Sequence, residues 1–111
     1  MTAAQNYNTI NGYGSTPPDA IIAGQAKIAV TNTSVQLPAN ILLRGVTVYA
    51  KFGNNDTGIF IGPTSAVTTT YTGAGNGFPL LAGQSIFIAT NNTSDIWING
   101  TAGDIVSFIG S

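Results

Sequence analysis

Residues 45–62 read GVTVYAKFGNNDTGIFIG, and the fold class follows from them. Val46, Val48, Ala50 and Phe52 alternate with Thr47, Tyr49 and Lys51. A period of two is the mark of a strand with two different faces. Gly53-Asn54-Asn55-Asp56-Thr57-Gly58 then gathers residues that tolerate positive φ or bond their own backbone, so the chain should reverse there. Ile59-Phe60-Ile61 follows as a second strand, stopped by Gly62-Pro63. The stretch predicts a β-hairpin at the centre of a small all-β domain, with its Val46/Val48/Ala50/Phe52 face in the core.

The pattern continues outward in both directions. Upstream, Ile28 and Val30 share a face, as do Val35 and Leu37, and Pro38-Ala39-Asn40 ends that strand. Downstream, 64–77 is a long polar stretch in which Val67 and the threonines after it are a candidate strand and 72–77 a loop. Strands are then expected over 85–90, 95–99 and 104–109. Asn99-Gly100 between the last two is a hairpin signal. No helical period lasts longer than a turn. Short strands about ten residues apart predict an antiparallel β-sandwich, jelly-roll-like, although a closed barrel would share the alternation. The domain is expected over 26–111. Residues 1–25 follow no strand or helix period and read as an extended N-terminal arm, with Pro17-Pro18 near its end and Tyr7, Ile10 and Tyr13 as apolar anchors.

Composition narrows the function. Of 111 residues, three are basic and four acidic, and there is no His and no Cys. That removes the commonest general base, the commonest metal ligand and every thiol site. An Asp95–Asp104 carboxylate pair is conceivable, but both residues sit beside turns, where Asp caps the backbone. Asp56 with Asn54 and Asn55 has too little charge for a dedicated calcium loop. The expectation is a non-enzyme with no catalytic residue, metal or cofactor. A net charge of -1 offers no basic patch for nucleic acid and no polybasic membrane anchor. No run of about 20 apolar residues is present to span a membrane, and the N-terminus lacks the pattern of a secretory signal.

Charged residues make up 6% of the chain, against about 25% in an ordinary soluble domain. So little repulsion favours association. Hydroxyls and amides supply the remaining polarity, and they hydrogen-bond across a protein contact without the desolvation cost of a charge. Several strands are apolar on both faces. Tyr49, Phe60, Phe87 and Trp97 all fall opposite the aliphatic faces of their strands. Together they are a candidate subunit interface, or else core of a twisted sandwich if the register is one residue out. A sugar-gripping face is the rival, and it would require Trp97 or Tyr71 beside an open groove.

Four further stretches carry a resemblance: VTNTSVQLP at 30–38 with RGVTV at 44–48, NDTGIFIG at 55–62, GFPLLAGQS at 77–85 and TAGD at 101–104. Together they resemble a small β module of tailed-bacteriophage virion proteins, of the capsid decoration (cement) or head-fibre type. The likeness spans residues 26–109 and leaves out the arm. It implies a jelly-roll-like structural protein, a homotrimer seated on the major capsid protein or another virion protein, assembled in the host cytoplasm and located in the virion. It implies no catalytic residue. The alternative is a receptor- or carbohydrate-binding module of a tail fibre.

Overall fold

The structure, a computed structural model, describes residues 20–70 and 72–111. Among the described residues eight strands form: β1 (Ile22–Lys27), β2 (Val35–Gln36), β3 (Val46–Ala50), β4 (Ile59–Gly62), β5 (Phe78–Leu80), β6 (Ser85–Ile88), β7 (Trp97–Asn99) and β8 (Ile105–Gly110). One 3-10 turn, Thr93–Asp95, precedes β7. All pairings are antiparallel. The first strand pairs with the last, the second with the seventh, the third with the sixth and the fourth with the fifth. This is a long hairpin with its tip between β4 and β5. Two more pairings, β3 with β8 and β4 with β7, roll it into two sheets. The orders are β1-β8-β3-β6 (sheet A) and β2-β7-β4-β5 (sheet B). A double Greek key of this kind is a jelly roll, so the fold is an open sandwich and not a barrel.

The core lies between the sheets. Val46, Val48, Ala50, Val106 and Phe108 face it from sheet A, and Ile59, Ile61, Leu80 and Ile98 from sheet B; all are buried. Gly24 in β1 lacks a side chain because Phe108 occupies that space. A Cβ there would lie 2.7 Å from the Phe108 ring.

Four expectations need correction. Residues 45–62 are not a hairpin, because β3 lies in sheet A and β4 in sheet B. The segment 51–58 is a crossover at the end of the sandwich. Phe52 therefore leaves the core face and is 79% exposed. The Asn99-Gly100 signal likewise marks a corner, since β7 and β8 belong to different sheets. Val30, expected beside Ile28, is exposed because β1 has already ended at Lys27. The expected boundary at 25 also falls inside β1, whose first residue, Ile22, pairs with Gly110.

The two corners are tied together. Asn54 acts as a strand residue would: its Nδ2 donates to the Ile105 carbonyl (2.8 Å), and its Oδ1 accepts from the Ile105 N–H (2.9 Å). Buried Asp104 accepts from the Asn55 N–H through one oxygen (2.9 Å) and from the Thr101 N–H through the other (3.1 Å). At the opposite end, Asn92 Oδ1 accepts from the N–H groups of Asn40 and Ser94, and buried Thr93 donates its hydroxyl to the Pro38 carbonyl. That joins the β2–β3 and β6–β7 loops.

Candidate interaction surface

The two sheets differ in what covers their outer faces. On sheet B, Phe60 points outward, opposite Asn99 and Pro79. It is nevertheless only 1% exposed. The long stretch after β4 (63–70 and 72–77) folds back across this face and brings buried Val67 down onto it. Cβ atoms built on Gly62 and Gly77 would lie 2.8 Å and 3.0 Å from Val67, and the one on Gly77 also 3.0 Å from Phe60. The close approach of this segment thus depends on two glycines. Buried Asn99 fastens it, donating Nδ2 to the Val67 carbonyl (3.0 Å).

Among the described residues, no such segment covers sheet A. Its outer face carries a row across all four strands: Ala23, Ile109, Thr47 and Phe87 stand opposite one another in the register. The next row is Gln25, Ser107, Tyr49 and Ser85. Ile109 is 54% exposed and Phe87 59%. Ile21 extends the apolar row past the start of β1 and is also exposed. Phe87 is held by its surroundings, because its ring occupies the space a Gly45 side chain would need (2.6 Å from a built Cβ). A shallow hollow of about 110 Å³ lies between Tyr49 and Ile109. Lys27, at the far end of β1, is the one charged residue in the outward-facing positions of these strands. The face is therefore apolar at one end and lined with hydroxyls and amides in the middle, a composition suited to burial against another protein.

The four aromatics expected on one face are divided between two. Tyr49 and Phe87 share the outer face of sheet A. Trp97 is half-buried on the outer side of sheet B, opposite Gln36 and Gly62. Phe60 belongs to the fold and not to an exposed face. The signal for this was in the sequence: Ile59-Phe60-Ile61 is apolar on both sides, so something must cover the second side. Tyr7, Ile10 and Tyr13 lie outside the described residues, as does Tyr71.

A second feature is a cleft of about 600 Å³ between the β1–β2 loop and the 63–77 segment, lined by Asn32, Ser34, Ser65, Thr68 and Thr69 among others. Much of its polar lining is engaged within the chain. Thr69 Oγ1 donates to Asn32 Oδ1 (2.8 Å), Ser34 Oγ to the Ser65 carbonyl (2.9 Å), and Thr68 Oγ1 accepts from the Asn76 N–H (3.1 Å). Trp97 is not part of its lining.

Asp95 and Asp104 do not converge. Asp95 sits before β7 and accepts from Thr90 Oγ1 (2.7 Å), while Asp104 lies past the other end of that strand. In the GNNDTG corner, Asn55 Oδ1 is taken by the N–H and hydroxyl of Thr57. Among the described residues, no group of three or more His, Cys, Asp or Glu could hold a metal ion.

Compared with known protein families, curated proteins and solved structures, the chain matches none.

Proposed function

We propose that the chain is a structural subunit of a virus particle: a decoration or cement protein of a tailed bacteriophage that binds the assembled capsid. The apolar row on sheet A, which no segment among the described residues covers, carries this reading. Ile109 and Phe87 gain nothing for the isolated domain by standing in water, and burial against a capsid protein gives them a use. The scarcity of charge supports it, as does the sequence likeness to virion β modules. Jelly rolls also serve as lectins and cupins, so the fold alone does not choose. A cement protein gains by touching several neighbours at once, and each contact can then be modest. β1 begins at the apolar end of sheet A, and in this reading the residues that precede it supply a further contact.

The test is co-sedimentation of the purified protein with capsids stripped of it. Each large apolar side chain buried on docking contributes about 1.5–3 kcal/mol. Phe87→Ser with Ile109→Ser should therefore weaken binding on the order of 100-fold or more, with the circular dichroism spectrum unchanged. Deleting residues 1–19 spares β1 and should weaken binding further. If both variants sediment with capsids like the parent protein, the reading fails.

The cleft beside Asn32 supports a second reading, a carbohydrate-binding module of a tail fibre. It ranks lower because several hydroxyls that would grip a sugar already bond within the chain.

A further inference from the structure

Each sheet has two edge strands, and three of the four edges are poor templates for pairing. β2 has two residues, β5 carries Pro79 at its centre, and β6 has four residues. Short strands and proline are the usual guards of an exposed edge. β1 has six residues, no proline and a single charge at its end.

The backbone bonds show which groups β1 leaves open. Ile28 N–H donates to the Asp104 carbonyl (2.9 Å), and the Ile28 carbonyl accepts from the Gly103 N–H (2.8 Å). Ile105, opposite Lys27, instead turns its N–H to Asn54 and its carbonyl to Lys51 and Asn54, away from β1. Because antiparallel pairs alternate, even-numbered residues of β1 bond β8 and odd-numbered ones turn their N–H and C=O outward. Ala23, Gln25 and Lys27 therefore present a row of backbone donors and acceptors, and among the described residues no strand pairs with it.

We infer that β1 pairs with β1 of a second copy, antiparallel, about a two-fold axis through Gln25. Gln25 then faces Gln25, and Ala23 faces Lys27, which makes about six backbone bonds across the seam. Directly opposed residues share a face, so the core side of one sheet continues into the core side of the other. On that side Gly24 faces Ala26 at the middle of the seam, neither of them bulky, and Ile22 faces Ile28 at each end. Equal lengths favour this pairing over β1 with the shorter β6. It also closes as a dimer, whereas β1 with β6 would run head to tail. The axis stands perpendicular to the sheet, so the outer faces of both copies look the same way. The inference does not depend on the capsid reading, although a doubled face would serve it.

Sedimentation equilibrium of the full chain should give about twice 11.3 kDa. Gln25→Pro removes an outward N–H only, so it should halve the mass and leave the far-ultraviolet spectrum intact. Ala26→Pro removes an N–H directed at β8 and should unfold the domain. As a variant that leaves the backbone alone, Ala23→Lys with Gln25→Lys places like charges across the seam and should give a monomer at low salt. A parent protein that sediments as a monomer or trimer overturns the inference. So does a dimer that persists in both Gln25→Pro and the double lysine variant.

Discussion

Phe60→Ala should lower the unfolding free energy of the domain by about 3–5 kcal/mol, while Phe87→Ala should lower it by no more than about 1 kcal/mol. Both residues are outward-facing aromatics on central or edge strands, and the sequence pattern treats them alike. The structure separates them. Phe60 is 1% exposed and Phe87 59%. Truncating Phe60 removes the transfer free energy of a whole ring and leaves a cavity. That cavity would be closed on one side by sheet B and on the other by the glycines and Val67 of the covering segment. Collapse to fill it would drag Val67, and with it the bond from Asn99. The 63–77 segment should therefore loosen before the core does, and its amides should exchange faster. Truncating Phe87 removes a ring already in contact with water. Urea denaturation of both variants, with m unchanged, is the measurement. Equal losses would mean that Phe60 is not covered by 63–77. The binding experiment should invert the order: Phe87 matters for docking, and Phe60 only through stability.

The strand reading of 45–50 holds because it needs only local information. Val46, Val48 and Ala50 alternate inward and are fully buried. What the sequence could not supply was the partner of that strand. Gly53 to Gly58 reverses the chain in either case, since the same turn chemistry serves a hairpin within one sheet and a corner between two. The choice is made at long range, by β8 and β6 flanking β3 on both sides. Alternation also overshoots. Phe52 keeps the phase of the core face two residues past Ala50, where there is no longer a sheet beneath it. The start of β1 was hidden for the opposite reason. Its inward residues are Ile22, Gly24 and Ala26, and the glycine, whose space Phe108 fills from the next strand, breaks the apolar pattern that would have announced it. Of the candidate interface, Tyr49 and Phe87 were legible as outward aromatics. Ile109 lies on a strand that is apolar on both faces, and its place beside Phe87 depends on β8 and β6 flanking β3.

Asp104→Ala should destabilise the domain by about 2–4 kcal/mol, although the residue resembles an ordinary turn aspartate in the sequence. Each carboxylate oxygen accepts one backbone N–H, Asn55 from the β3–β4 corner and Thr101 from its own corner. The side chain is 3% exposed, so alanine leaves two donors facing a site that water enters poorly. Leaving buried donors unsatisfied costs more than making the bonds gains. Asp104→Asn is the informative companion. Its single oxygen can serve one N–H, but its amide turns a donor towards the other, so it should recover only part of the loss. Asn54→Ala opens the same junction from the other side, by removing both bonds to Ile105. Because Asn54 and Asp104 hold adjacent residues of one corner to adjacent residues of the other, the double variant should lose less than the sum of the single ones. A coupling of about 0.5–3 kcal/mol is expected for such neighbours. Strict additivity in urea denaturation would show that the corners are anchored independently. The coupling matters for the fold because neither corner lies within a sheet. The crossovers 51–58 and 100–104 both carry the chain from one sheet to the other, and at this end of the sandwich these polar side chains bond one crossover to the other.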